Sequence, residues 1–229
     1  MKKSLTETVI EQLKYQILSG EYEPGEKLPT LREMADIFDV SRSVINAVVV
    51  DLETNGYIKI VPTKWIEVAN WKKEMNFSIL SDQVAFGLLD VKQLTDLLEA
   101  RKFLELECVR KACANSDKES RAKLQALIIE EEIETDPKKR SQYDLRFHYL
   151  ICKMSGNMVY GILLQAFEDT SQPIIERFYS DMDVHDFVLE KHKVVAKAIT
   201  ENNEIEAERE MRLLLEHGEK TILKQLQRR

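Results

Sequence analysis

Between Thr30 and Leu52 the chain reads TLREMADIFDVSRSVINAVVVDL, two short apolar-periodic segments that each begin with a hydroxyl residue and meet at Asp39-Val40. The first opens at Thr30 with Glu33 three residues on, a capping box that satisfies free N–H groups at a helix start. Leu31, Met34, Ala35 and Phe38 then fall on one face. The second opens at Ser41, and its Val44, Ile45, Val48 and Leu52 face inward, leaving Arg42, Ser43, Asn46 and Ala47 on or near the opposite side. This spacing predicts a helix-turn-helix, whose second helix enters the major groove of DNA with its N-terminal side chains at base edges and phosphates.

The surrounding sequence completes a unit over residues 1–70. Leu5, Val9, Leu13 and Ile17 recur at helical spacing behind a Ser4-Leu5-Thr6-Glu7 capping box, predicting a support helix to about Ser19. Gly20 and Pro24-Gly25 interrupt the chain before the motif, and Asn55-Gly56 ends it. Residues 57–61 and 65–68 read as two strands around Pro62-Thr63-Lys64, which makes the whole a winged helix-turn-helix. Residues 71–89 show no strong period and are expected to form a linker and the start of a helical bundle. Over 90–229 helices are expected near 90–115, 117–134, 138–154, 157–180, 186–201 and 203–228. Short loops between them predict an antiparallel all-α bundle of six to seven helices. Pro173 is expected to kink the fourth, because it removes an N–H donor. The fold class is therefore mainly α, consistent with only 7 Gly and 5 Pro among 229 residues.

Charge restricts how such a chain can hold DNA. The protein carries a net charge of −7, and residues 1–70 hold 8 Lys and Arg against 11 Asp and Glu. A nonspecific polyanion binder is excluded by this balance. Binding must rest on a few placed cations: Lys27, Arg32, Arg42, Lys59 and Lys64 lie at the motif helix starts and in the hairpin, with Thr30, Ser41, Ser43 and Asn46 beside them. No apolar run approaches the roughly 20 residues needed to span a bilayer, and the N-terminus lacks a signal-peptide core, so a cytoplasmic location without membrane contact is expected. Cys108, Cys113 and Cys152 each fall in apolar-periodic helices and are read as small buried hydrophobes.

The order of Ile17-x-x-Gly20, Pro24-Gly25, Leu28-Pro29, Arg32-Glu33, Ala35, Val40-Ser41-Arg42 and the Leu52 to Gly56 spacing resembles the GntR-type bacterial transcription regulators, in the FadR-like subclass with an all-helical C-terminal ligand-binding domain. The resemblance covers almost the whole chain. It implies a homodimer on a palindromic double-stranded operator, with Arg32 and Arg42 contacting DNA and the wing tip reaching the minor groove. Two departures stand out. Asn46 replaces a usual second arginine and favours adenine over guanine in a bidentate contact, and the usual Gly-rich wing tip is replaced by Pro62-Thr63-Lys64-Trp65.

In the C-terminal part, Asp144 and His148 lie four apart, on one helix face, where a carboxylate and an imidazole can hold one cation. Asp-x-x-Phe-His, Ser155-Gly156-Asn157 and Glu190-x-His192 ahead of Ala198-Ile199 resemble the metal-holding form of the same subclass, which uses one Asp and three His. The register puts the last ligand at Leu214, and the nearest histidine is His217, about a turn on. His217, or water, is then the fourth ligand of a site formed by Asp144, His148 and His192; the alternative is that these side chains line a cavity for an organic ligand. Zinc suits the set best, with nickel or manganese also compatible. His185 is expected to be a solvated loop residue. Arg101 matches an effector-facing position of the subclass and could clamp a carboxylate; an ion pair with Glu105 is the alternative.

The expected function is a ligand-responsive regulator, a repressor as is usual for the family, whose operator affinity is set by a small carboxylate in the metal-containing bundle. A regulator for which the ion itself is the signal shares the same sites. A zinc-dependent enzyme is disfavoured: no general base sits at a telling spacing, and catalysis leaves the N-terminal motif unexplained.

Overall fold

The computed structural model describes residues 3–62, 64–180 and 184–226 and divides into two compact units, Met1–Leu88 and Leu89–Arg229. In the first, helix α1 (Leu5–Ser19) starts at Ser4, whose hydroxyl accepts the Glu7 N–H while the Glu7 carboxylate accepts the Ser4 N–H. It ends at Gly20, whose φ of 85° lets its N–H return to the last turn, a conformation costly for a side chain with Cβ. Helices α2 (Leu31–Ile37) and α3 (Arg42–Thr54) are capped by Thr30 and Ser41 as the sequence predicts. The turn between them passes through Asp39 at φ 50°, a left-handed conformation that Asp tolerates better than most residues. Strands β1 (Ile58–Val61) and β2 (Trp65–Val68) pair antiparallel in the register Ile58↔Val68 to Val61↔Trp65. Thr63 of the expected wing tip lies outside the described residues. Leu13, Ile17, Ile45, Val48, Leu52, Tyr57 and Ile58 form the core of the unit.

The expected linker is partly structured. Helix α4 (Phe77–Ala85) begins where the Asn76 side chain accepts the Ile79 N–H, and it belongs to the first unit. Ile79 is fully buried in the winged core together with Trp71. Asp82 accepts the Tyr57 hydroxyl at 2.5 Å and pairs with Lys14 at 2.9 Å, tying α4 to α1 and to the residue ahead of β1.

The second unit is an all-α bundle: α5 (Val91–Asn115), α6 (Lys118–Ile133), α7 (Pro137–Met154), α8 (Met158–Phe178), α9 (Val184–Thr200) and α10 (Glu204–Leu226). Asp90, Asp117, Asp136 and Asn157 cap the first four. Helix α8 continues without interruption through position 173, where the missing proline N–H predicts a kink. Arg121 fastens two connections together, donating to Ser116 Oγ, the Thr200 carbonyl and Asn202 Oδ1. The three cysteines are buried, as expected. No helix among the described residues is long and apolar enough to cross a membrane.

Candidate DNA-binding surface and candidate metal centre

The starts of α2 and α3 present their polar residues outward. Thr30, Arg32, Ser41, Arg42, Ser43 and Asn46 are all exposed, and neither arginine forms an ion pair among the described residues. The two hydroxyl caps have structural work as well: Thr30 Oγ1 donates to Glu33 at 2.8 Å, and Ser41 Oγ lies 2.7 Å from Ser43 Oγ. The wing lysines differ from each other. Lys59 is exposed but paired with Glu74 at 2.9 Å, so its charge is partly neutralised, whereas Lys64 stands exposed at the turn beside Trp65.

In the bundle, Asp144, His148 and His192 are buried and converge from α7 and α9, with one ligand atom from each lying within 4.8 Å of the others. Both imidazoles are oriented from behind. His148 Nδ1 meets the carboxylate of Glu105 on α5, and His192 Nδ1 lies 2.9 Å from Glu131 Oε2 on α6. Each ring therefore turns Nε2 toward Asp144 Oδ1, at 3.7 Å from His148 and 3.6 Å from His192. Tyr179, just past α8, donates its hydroxyl to the same oxygen at 3.0 Å, and Phe147 stacks on the His192 ring with centroids 3.7 Å apart.

These contacts fix the charges. Burial disfavours the ionised form of Asp144, but His148, His192 and Arg101 around it hold its pKa well below the usual carboxylate range. Burial likewise disfavours a charged His148, yet Glu105 and Asp144 outweigh it and raise the pKa to about 9. Glu105 is lowered against its burial by Arg101 and His148. The donor set fits a divalent ion: two neutralisable imidazoles and one carboxylate face a common point, and the buried His192 Nε2 has no hydrogen-bond partner among the described residues. Carboxylates behind the rings are the usual supports of metal-ligating histidine.

The expected fourth ligand does not join the trio. His217 packs its ring on Phe187, centroids 4.1 Å apart, with Phe178 also near. Leu214, in the register position, is buried and lines a cavity instead. Three residues turn a helix by about 300°, about 60° short of a full turn, enough to give the two side chains different neighbours. His185 also departs from expectation. Helix α9 starts at Val184, so His185 is a buried helical residue near Tyr179, and burial lowers its pKa. Arg101 forms the ion pair of its second reading, Nε donating to Glu105 at 2.5 Å, and the residue also lines the cavity beside Asp144 and His148. That cavity, about 40 Å³, is otherwise walled mainly by apolar residues such as Leu98, Ile175, Val188 and Leu214, with Glu219, paired to Lys102, as one further acid.

Sequence patterns alone do not single out Glu131 or Tyr179. Glu131 had a visible signal, because Leu124, Leu127, Ile128 and Glu131 follow a single buried stripe at i, i+3, i+4, i+7. A carboxylate at such a position needs a partner. Tyr179 had none, since its proximity to Asp144 depends on how α8 ends.

A winged helix-turn-helix joined in one chain to a helical bundle that carries a buried polar cluster and a cavity defines a DNA-binding transcription regulator. Comparison with known proteins makes this particular. The model of bacterial regulatory proteins of the gntR family matches residues 5–68, and that of the FCD domain matches residues 96–217. The chain belongs to the GntR family of bacterial regulators, with an FCD effector-binding domain.

It is 29% identical over 224 residues to the uncharacterized HTH-type transcriptional regulator YcbG of Bacillus subtilis, covering 97% of this chain and 92% of the relative. It is 29% identical over 212 residues to the Uxu operon regulator of Haemophilus influenzae, covering 87% of this chain and 74% of the relative. The solved structure of Streptococcus agalactiae GntR is 27% identical with a TM-score of 0.50, covering 94% of this chain and 99% of that one. Lar, described as controlling the Listeria monocytogenes agr system, has a TM-score of 0.70 at 16% identity, covering 98% of this chain and 99% of that one, a likeness of fold. These relatives are transcription regulators, and the chain is not an enzyme.

Proposed function

We propose that the protein is a homodimeric repressor that binds a palindromic operator and releases it when a small carboxylate enters a metal-containing FCD domain. The observation that carries the reading is the pair of buried imidazoles, each held through Nδ1 by a carboxylate and each turning Nε2 toward Asp144 on the wall of a cavity. Asp144, His148 and His192 would hold the ion, and zinc fits this nitrogen-rich set best, with nickel and manganese compatible. A bound ion would act as a Lewis acid toward a carboxylate. Glu105 and Glu131 orient the rings, Tyr179 orients Asp144, and Arg101 adds a positive charge at the cavity wall.

On the DNA side, Arg42 and Asn46 on α3 are assigned to base edges, and Arg32, Thr30, Ser41, Ser43, Lys59 and Lys64 to the backbone. A cavity of about 40 Å³ holds little more than water, so an effector must displace surrounding side chains. Effector affinity then differs between the closed and opened bundle, which is what a ligand needs in order to shift a conformational equilibrium.

Elemental analysis of the purified protein, followed by fluorescence anisotropy on an in vitro selected duplex with and without candidate carboxylates, tests the proposal. One divalent ion per chain and weaker DNA binding with effector are expected. An unchanged DNA affinity with demonstrably bound effector overturns the coupling, and a metal-free protein that still responds overturns the metal's part in it.

A further inference from the structure

We propose that Lys27, Lys64 and Trp65 form a phosphate-contact site for the DNA backbone on the wing, in which one indole ring gathers two ammonium groups. The inference rests on the DNA-binding reading of the first unit and adds to it residues that the helix-turn-helix does not supply. Lys27 Nζ sits 3.8 Å from the centroid of the Trp65 ring, and Lys64 Nζ lies 5.5 Å from the same centroid. Both distances fall within the reach of cation–π attraction.

Backbone structure holds the three residues in place. Lys27 is bridged to Glu67, the flanking Leu28 N–H donates to the Ile66 carbonyl at 2.9 Å, and the Val68 N–H donates to the Glu26 carbonyl at 2.9 Å. The segment before α2 therefore runs antiparallel beside β2 through an isolated bridge and its flanking hydrogen bonds. Trp65 is the first residue of β2, paired with Val61, and the Lys64 N–H closes the wing turn on the Val61 carbonyl at 3.1 Å. Glu67 Oε2 accepts the indole Nε1–H at 2.9 Å, and neither Lys27 nor Lys64 has an ion pair among the described residues.

Two exposed ammonium groups gathered at one ring repel each other, and a nearby anion relieves the repulsion. Lys27 lies over the ring at 3.8 Å, which leaves little room for a base to stack on that face of Trp65. Its role is to position the cations. In a unit that carries a helix-turn-helix, the anion this arrangement suits is a backbone phosphate, which carries no sequence information.

The test measures operator binding by the full-length protein, using a duplex recovered by in vitro selection, across a KCl series. The slope of log affinity against log salt reports the number of phosphates neutralised, at about 0.9 per contact on duplex DNA. Lys27→Ala and Lys64→Ala are each expected to reduce the slope by about one per subunit and to weaken the selected and a scrambled duplex alike. Trp65→Ala is expected to reduce the slope although it removes no charge, and Trp65→Phe to retain most of it. Lys123→Ala, a charge change on α6, serves as the control with an unchanged slope.

Urea unfolding identifies any variant whose first unit is destabilised; for such a variant, Lys27→Gln and Lys64→Gln replace alanine. Wild-type slopes in both lysine variants overturn the site. A weaker Trp65→Ala with an unchanged slope overturns the role of the ring, and a wild-type protein that binds no duplex overturns the underlying DNA reading itself.

Discussion

A histidine ring offers a metal one nitrogen, and which nitrogen it offers depends on what holds the other. Glu105 and Glu131 settle this for His148 and His192, and they do so from helices other than those carrying the rings. Glu131→Gln keeps a hydrogen-bond acceptor behind His192 but removes its charge, and is expected to lower zinc affinity about 10-fold to 100-fold in a chelator competition. Unchanged affinity would separate Glu131 from the site. His148, with its pKa raised to about 9, carries a proton at neutral pH in the metal-free protein. A metal ligand must be deprotonated, so zinc binding should release close to one proton, and apparent affinity should rise with pH up to about 9. Calorimetry in buffers of different ionisation enthalpy measures that proton; no release would remove His148 as a ligand. On the DNA side, Arg42→Ala is expected to weaken operator binding by about 1–3 kcal/mol with the fold intact, read by gel shift. Asp144 and His148 were legible in the sequence because four residues make one helix face. Glu131 and His192 are 61 residues apart, and no periodicity joins them.

At the scale of the element, caps and turns carried most of the legible information. Ser4, Thr30 and Ser41 each stand at a helix start as read from the sequence, and the long bundle helices begin and end within two residues of where the apolar periods and breakers place them. Helix α4 was not legible, for a physical reason. Unlike α2 it opens with no capping box, and its stability comes from Ile79 entering a core built by distant residues and from Asp82 meeting Tyr57 and Lys14. Ile79→Ala is accordingly expected to destabilise the winged unit by about 2–5 kcal/mol, while zinc stoichiometry in the bundle stays unchanged. Urea unfolding followed by circular dichroism reads the first and elemental analysis the second. A loss below about 0.5 kcal/mol would mean that the segment is no more than a surface connection. The start of α9 carries the complementary lesson. Two additional residues at its N-terminus turn His185 from an expected solvated loop residue into a buried one.

At the scale of the whole molecule, a regulator needs two binding functions in one chain and a free energy that couples them. The N-terminal unit has exposed arginines without ion-pair partners among the described residues, and the bundle has a small cavity beside a buried cluster of alternating charge: Arg101, Glu105, His148 and Asp144. In the metal-free cluster the charges of Arg101 and His148 are already matched by Glu105 and Asp144, so an added carboxylate would be an uncompensated negative charge. The ion is therefore expected to be required for effector binding, and chelation should weaken effector affinity before it affects DNA. Coupling is reciprocal: a carboxylate that weakens operator affinity by a given factor must itself be bound more weakly by that factor on the operator complex, with typical coupling of about 1–3 kcal/mol. Measuring both arms, operator affinity with saturating effector and effector affinity with saturating operator, distinguishes the two readings of the metal. If the carboxylate is the signal, the two factors agree and zinc alone leaves operator affinity unchanged. If adding zinc to chelated protein shifts operator affinity with no carboxylate present, the ion is the signal, and the cavity serves only to house it.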